Sequence, residues 1–215
     1  MRNLYQEQLH HLNHELIQMG AACEEIIDFA AKALTDYSPE LEEKTNQVGA
    51  VIDESERTIE NICLKLLLRQ QPVASDLRQI SAAMKMITDM ERIGDQAEDI
   101  VDLIPKMEQR PQEKDPKIQE MADAAKSMVI GAVDAYVRRD LTLAQTVMNN
   151  DDLVDNYFNQ IKSDIIRHIA ANPNSGENAL DLLMIAKYFE RIADHCTNIA
   201  EWVVYAATGD RVTTP

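Results

Sequence analysis

The sequence contains few aromatic residues, few glycines and few positive charges. Aromatic side chains make up 5% of its 215 residues, and there are six glycines and seven prolines. A composition poor in these residues but rich in alanine, leucine, isoleucine, methionine and glutamate favours helices over a β-sandwich or β-barrel. The 21 basic residues are outnumbered by 37 acidic ones, which gives a formal net charge of −16. This charge repels a phosphate backbone, so direct binding to nucleic acid is not expected.

Cysteine is also scarce, and the sequence has no long apolar run. Cys23, Cys63 and Cys196 are far apart, and none belongs to a CxxC pair. This spacing predicts buried free thiols rather than a disulfide framework or a thiolate zinc site. No window approaches about 18 uncharged apolar residues, and the first residues lack the apolar core of a signal peptide. We therefore expect a soluble, cytoplasmic protein without membrane insertion.

Prolines divide the chain into segments with helical periodicity. None of them interrupts such a segment, where a proline would cost about 3 kcal/mol. Ser38 is expected to cap the helix that starts at Pro39. The pattern predicts six helices, at about 3–37, 40–70, 74–104, 117–139, 141–171 and 177–208.

The second half of the chain repeats the first. The motif Glu91-Arg92-Ile93-Gly94-Asp95 recurs 99 residues later as Glu190-Arg191-Ile192-Ala193-Asp194, and Ile52-Asp53 matches Val154-Asp155 at a spacing of 102 residues. A length difference in one turn explains the two spacings. We therefore predict an all-α fold of six long helices in two tandem, pseudo-symmetric three-helix bundles. The expected division is a first repeat at 1–105, a linker at 106–116, a second repeat at 117–208 and a frayed tail at 209–215.

Acidic residues form a line along the third predicted helix. They recur at i, i+4, i+7 and i+11 as Glu91, Asp95, Glu98 and Asp102. At about 100° per residue these positions share one face, where like charges one turn apart destabilise the helix slightly. The sixth predicted helix repeats the line with Thr197 in place of Glu98.

The fifth predicted helix contributes a further acidic pair, Asp151 and Asp155, one turn apart. If this helix packs beside the sixth, the pair faces Glu190 and Asp194. Hard or borderline cations prefer such oxygen ligands, and a cation would offset the repulsion among them. The other interpretation is a solvated acidic face in a strongly negative chain, because acidic residues are also favourable at a helix N-terminus.

Two classes of function are consistent with these residues. One is a regulatory protein without catalysis, whose acidic faces hold a metal or contact a partner. The other is a metal-dependent enzyme or a metal-storage bundle of carboxylate-bearing helices. No nucleophile, general base or glycine-rich phosphate loop accompanies the carboxylates, which favours the class that is not an enzyme.

Three motifs stand out along the chain: Gln71-Pro72-Val73-Ala74-Ser75-Asp76-Leu77-Arg78, the Glu91–Asp95 motif, and the Glu190–Asp194 motif followed by Asn198-Ile199. Together they resemble the motifs of the PhoU proteins, which regulate phosphate uptake. The resemblance spans almost the whole chain and implies two three-helix bundles side by side. It also implies a cytoplasmic negative regulator of phosphate-starvation genes. Such a regulator acts with the ATPase of a phosphate ABC transporter and a sensor histidine kinase, often as a homodimer.

The same resemblance implies metal sites, because some PhoU proteins carry multinuclear iron or zinc clusters on paired E(D)xxxD motifs. The second repeat supplies four matching residues: Asp151, Asp155, Glu190 and Asp194. The first repeat supplies three, because Gly49 stands where the first acidic residue of its motif belongs; they are Asp53, Glu91 and Asp95. Asp99, which matches Asn198, is a candidate substitute for the missing ligand. We therefore expect fuller metal occupancy in the second repeat.

Overall fold

The computed structural model describes residues 2–69, 73–107 and 116–211, and within these ranges it is helical with no strand. Two short 3₁₀ turns, Ile104–Lys106 and Pro173–Ser175, accompany the long helices. Six helices are confirmed within a few residues of the predicted bounds: α1 (Arg2–Asp36), α2 (Pro39–Arg69), α3 (Ala74–Leu103), α4 (Pro116–Arg138), α5 (Leu141–Ala171) and α6 (Gly176–Thr208). Gln71 and Pro72 of the first motif, most of the expected linker and the end of the expected tail lie outside the described residues.

Local side-chain chemistry explains where several helices begin and end. The Ser38 hydroxyl accepts a hydrogen bond from the backbone N–H of Leu41 at 3.2 Å, as predicted for the cap of α2. Asp140 caps α5 in the same way, because its carboxylate accepts from the first backbone N–H groups of that helix. Between α4 and α5, Arg139 adopts a positive φ of 54°, and Gly209 at φ 86° ends α6.

Each half of the chain forms a three-helix bundle. Helices α1, α2 and α3 pack against one another, and α4, α5 and α6 do the same. The two bundles meet through α3 against α6 and α1 against α4, so these four helices form a central layer. Helices α2 and α5 lie at its two edges and pack mainly within their own bundle. This arrangement confirms the predicted pair of pseudo-symmetric bundles.

The core is a continuous apolar cluster that runs through both bundles. Its largest fully buried side chains include Leu16, Met90 and Phe189. All three cysteines are buried free thiols, as predicted. Burial raises the pKa of the Cys23 thiol to about 12, so this cysteine is held as a neutral, unreactive thiol. Within the described ranges, no helix is both long and apolar enough to cross a membrane.

Polar contacts reinforce the junction between the bundles. Asp89 of α3 lies 2.9 Å from His195 Nδ1 and accepts a hydrogen bond from the Asn198 side chain at 3.3 Å. On the other side of the layer, Lys126 of α4 donates to Asp28 of α1 at 2.8 Å. These pairs link α3 to α6 and α1 to α4 across the junction.

Gly20 of α1 lies against Val133 of α4, and its replacement by alanine should destabilise the protein. A Cβ atom at this position would lie 2.7 Å from Cγ2 of Val133, which is a stiff, β-branched side chain. We expect the cost of overpacking to exceed the helix propensity gained and the free energy of unfolding to fall by about 1 kcal/mol. Thermal unfolding followed by circular dichroism measures this change.

Two further variants control this prediction. Adding Val133→Ala to Gly20→Ala should cost less than the sum of the two single losses, since the truncated valine removes the clash and the new methyl group at position 20 fills part of the space that the valine leaves. Gly176→Ala should be neutral or stabilising, because a Cβ atom there meets nothing within 4 Å. Strictly additive losses would show that α1 and α4 do not meet at this contact.

Candidate metal centre

The structure brings together the four acidic residues predicted in the second repeat. Asp151 and Asp155 project from α5, and Glu190 and Asp194 project from the adjoining face of α6. Burial at the helix contact, together with the negative charges of the other three residues, raises the pKa of Asp194 to about 6. We call these four residues the second carboxylate group.

Lys187 moderates the charge of this group. Glu190 is mostly buried and forms an ion pair with Lys187 on its own helix. Burial raises the pKa of Asp151, and the nearby charge of Asp155 adds to the effect. Among the described residues, the group therefore keeps an excess of negative charge that this one ion pair offsets in part.

The three acidic residues predicted in the first repeat also lie together. Asp53 projects from α2, and Glu91 and Asp95 lie one turn apart on α3. Burial raises the pKa of Glu91, and so do the charges of Asp95 and Asp53. Arg92 offsets part of this charge, since its guanidinium lies 3.3 Å from a Glu91 oxygen and 2.8 Å from an Asp95 oxygen.

Glu98 joins this first group, although the sequence motifs do not assign it as a ligand. Its carboxylate lies directly against Gly49 of α2, where a Cβ atom would be 2.0 Å from its Oε1 atom. Burial, together with the charges of Asp95 and Asp53, raises the pKa of Glu98 to about 7. The sequence indicates that Glu98 belongs with these residues through its place on the acidic line of α3. We call Asp53, Glu91, Asp95 and Glu98 the first carboxylate group.

A further glutamate borders the first group without a counterpart in the second. Burial raises the pKa of Glu56, and the charges of Glu60 and Asp53 reinforce the shift. Glu56 stands almost one turn after Asp53 on α2, so helical spacing places both on one face. A comparison of the two repeats does not single out Glu56, because the matching position in the second repeat is Phe158.

The two further candidate ligands, Asp99 and Asn198, lie near the junction of the repeats. Burial raises the pKa of Asp99, and the nearby Arg191 of the other repeat opposes this shift. Asn198 donates its hydrogen bond to Asp89 across the same junction. Both residues thus have interactions with the opposite repeat, and their role as metal ligands stays a prediction.

The donor set fits a hard or borderline cation, because both carboxylate groups offer oxygen atoms alone. Within 2–69, 73–107 and 116–211, no group of three or more His, Cys, Asp or Glu side chains is already arranged to hold a metal ion. Arg92 and Lys187 occupy some of the carboxylates. Metal binding would therefore require these ion pairs to release and the carboxylates to converge.

The burial of Glu98 and the repulsion within the first group predict a pH-dependent stability of the metal-free protein. The pKa of Glu98 is raised in the folded state, so folding favours its protonated form and charging it destabilises the fold. The penalty is absent below the ordinary pKa of about 4.5 and complete above about 7. Glu98→Gln should therefore raise the free energy of unfolding by about 1 kcal/mol at pH 8, after allowance for solvent screening.

Urea unfolding at pH 4.5 and at pH 8, in the presence of a chelator, measures this effect. At the lower pH the variant and the unmodified protein should differ little. Glu54→Gln, on the exposed face of α2, should change stability by less than about 0.5 kcal/mol at both pH values. A gain from Glu98→Gln that is equal at both pH values would contradict the electrostatic explanation.

The fold and the carboxylate groups together define a class of protein. It is a double repeat of three-helix bundles, and each bundle has one acidic group between its edge helix, α2 or α5, and a helix of the central layer, α3 or α6. The PhoU domain model matches residues 16–104 and 118–203. The chain belongs to the PhoU family.

Individual proteins agree with this assignment. The phosphate-specific transport system accessory protein PhoU homolog of Clostridium acetobutylicum is 33% identical over 213 residues, which cover 98% of this chain and 97% of that protein. The homolog of Borreliella burgdorferi is 30% identical and covers 99% of this chain and 98% of that protein.

Two crystal structures share the fold. PhoU from Pseudomonas aeruginosa superposes with a TM-score of 0.88 at 30% identity and covers 96% of this chain and 100% of that chain. The phosphate transport system regulatory protein PhoU from Streptococcus pneumoniae gives a TM-score of 0.89 at 26% identity and covers 98% of this chain and 100% of that chain. The similarity therefore extends over both repeats.

Proposed function

We propose that this protein regulates phosphate uptake as an accessory of a phosphate transport system, without catalysis of its own. The observation that carries the proposal is similarity over nearly the whole chain to relatives that are named accessory proteins of such a system. The absence of an evident nucleophile or general base beside the carboxylates in the sequence is consistent with this role.

The proposed mode of action is repression. The protein restrains phosphate-starvation genes while phosphate is plentiful, and it acts in the cytoplasm through the transporter ATPase and a sensor histidine kinase. We also propose that it forms a homodimer. Its excess of negative charge makes protein partners more suitable than nucleic acid for this task.

Deletion of the gene tests the regulatory role. Transcripts of phosphate-starvation genes should rise in cells grown with abundant phosphate, and a plasmid copy of the gene should restore repression. The matched comparison is the same pair of strains under phosphate limitation, where the genes are already active. Unchanged transcripts in a strain without a second PhoU gene would refute the proposal.

We propose further that the carboxylate groups bind iron or zinc. In the second repeat the ligands would be Asp151, Asp155, Glu190 and Asp194; in the first they would include Asp53, Glu91 and Asp95. A bound cation would neutralise these charges and link each edge helix, α2 or α5, to the adjacent helix of the central layer, α3 or α6. Elemental analysis of protein purified without chelators or a metal-binding tag tests this, and protein free of iron and zinc would contradict it.

A further inference from the structure

We propose that a cavity near one end of the central layer binds a small phosphorylated anion, either inorganic phosphate or the phosphoryl group of a small organic phosphate. Residues of α1, α3 and α6 and the end of α4 line this cavity, so its ligand would contact both bundles. The choice of a phosphoryl group rests on the role in phosphate regulation proposed above, whereas the negative charge of the ligand follows from the residues around the cavity.

The size and wall of the cavity suit a small molecule. Its volume is about 210 Å³, which corresponds to about seven water molecules. Part of its wall is apolar and consists of Val137, Val203 and Ala206. Sites for small molecules combine such walls with a few polar groups and often lie where two domains meet. A phosphate group therefore fits with space left for a short carbon chain.

The charge around the cavity is opposite to that of the whole chain. Arg78 and Arg139 line it, and no acidic residue does so among the residues that the structure describes. The chain as a whole carries a formal net charge of −16. A cavity with two arginines in such a protein favours an anion, and guanidinium groups match the geometry of phosphate oxygens.

Arg78 carries a donor that the protein does not satisfy. Its Nε atom is buried and has no hydrogen-bond partner in the part of the chain that the structure describes. The side chain lies against the end of α6, where a Cβ atom at Gly209 would be 3.5 Å from Cδ of Arg78. A buried donor without a partner is costly, and an anion bound by this guanidinium group would supply an acceptor.

Neither arginine of the cavity is neutralised by a described side chain. No carboxylate oxygen in the described ranges lies within ion-pair distance of Arg78 or Arg139. By contrast, the adjacent Arg138 pairs with Asp134 at 2.9 Å. The carboxylate of Asp140 accepts hydrogen bonds from backbone N–H groups of α5 instead. Both positive charges are therefore available to a ligand.

Tyr136 adds a buried hydroxyl group to the cavity. This residue is 8% exposed, and the charge of Arg139 acts on its side chain. The hydroxyl lies 3.5 Å from the backbone oxygen of Gln79, which is longer than the about 2.7–2.8 Å of a usual O–H···O hydrogen bond. It can therefore donate to a phosphate oxygen at little cost.

The cavity also uses a sequence motif that the carboxylate groups leave out. Ser75 and Arg78 belong to the motif at 71–78 and lie in the first two turns of α3, where the helix dipole favours negative charge. Asp76 of the same segment does not line the cavity, and its carboxylate accepts from the backbone N–H of Val73 at 3.3 Å. The motif thus contributes a hydroxyl and a guanidinium group to the site.

Isothermal titration calorimetry of the full-length, metal-stripped protein tests the site with inorganic phosphate and glycerol 3-phosphate. Removal of metal prevents phosphate from binding through a cation on the carboxylate groups. We expect saturable binding of one ligand per chain with a Kd below about 1 mM for at least one probe. A preference of at least about 5-fold for glycerol 3-phosphate identifies an organic phosphate as the source, and any smaller preference identifies free phosphate.

Substitution of the two arginines tests which residues hold the anion. Arg78→Met keeps an unbranched side chain against Gly209 and should weaken binding at least about 10-fold. Arg139→Asn, which tolerates a positive φ, should weaken it at least about 5-fold. Arg138→Asn makes the same change of charge beside the cavity and is the matched control, which should alter the affinity less than about 2-fold.

Two further variants separate a site in the cavity from general attraction of anions. Ala206→Leu fills the cavity without a change of charge and should weaken binding at least about 10-fold. Arg78→Lys keeps the charge but loses the planar fork, and it should weaken binding at least about 3-fold even if Arg78→Met does not fold. Circular dichroism shows which variants retain the helical fold.

The proposal is overturned by a Kd above about 1 mM for both probes. It is also overturned if folded Arg78→Lys and Ala206→Leu proteins bind as tightly as the unmodified protein, or if Arg138→Asn weakens binding as much as Arg139→Asn. The regulatory role is tested separately, because the effect of gene deletion on transcripts does not depend on this cavity.

Discussion

Replacing both Asp151 and Asp155 by alanine is expected to weaken metal binding at the second site at least about 100-fold. The change removes both carboxylates that α5 contributes and leaves only Glu190 and Asp194 on α6. Two carboxylates on one helix offer too few oxygens for a cation that prefers several charged ligands. Equilibrium dialysis with Zn²⁺, followed by elemental analysis, measures the loss.

The fold should survive this double substitution. Both aspartates carry repulsive charge, and neither is fully buried, so the helical circular dichroism signal should be retained. Asp152→Ala, at the adjacent exposed position, is the control and should leave the affinity within about 2-fold of the original value. Unchanged affinity in the double variant would show that the second carboxylate group does not hold metal.

Phe189→Ala is expected to cause the largest loss of stability, about 3–5 kcal/mol. Phe189 is fully buried on α6, which packs against α3, α4 and α5. Removal of the ring leaves a cavity in the core, and the long helices that pack against α6 limit how far it can collapse. The urea midpoint, followed by circular dichroism, reports the change.

Two variants separate cavity formation from other effects of this substitution. Phe189→Leu retains much of the buried volume and should cost about half as much or less. Leu68→Ala removes an apolar side chain that is 85% exposed and should change stability by less than about 0.5 kcal/mol. A loss for Phe189→Ala no larger than that for Leu68→Ala would mean that α6 is not packed as described.

The helices could be predicted from sequence because their boundaries have local causes. Proline at position 39 and the cap at Ser38 act within one turn, and both were visible in the sequence. The end of α4 was less clear, because periodicity continues through Arg139 whereas its backbone adopts a positive φ. The internal repeat also predicted two equivalent bundles, because corresponding helices with the same hydrophobic pattern bury the same face.

The candidate site could be predicted only where ligands follow helical spacing. Asp151 and Asp155 lie one turn apart on α5, so their common face follows from the sequence alone. The place of Glu98 beside the predicted residues depends instead on its contact with Gly49 on another helix. A comparison of matching positions cannot find this contact, because Gly49 and Glu98 match Asp151 and Thr197, which are different types of residue.

The position of α2 and α5 at the edges of the central layer has a consequence for local unfolding. Detachment of one edge helix, with α1, α3, α4 and α6 still packed, would expose less apolar surface than unfolding the whole chain. Backbone amides of α2 and α5 should therefore exchange with solvent before those of the central layer. Each carboxylate group spans an edge helix and a central helix, so repulsion at these two contacts should favour opening of the edges.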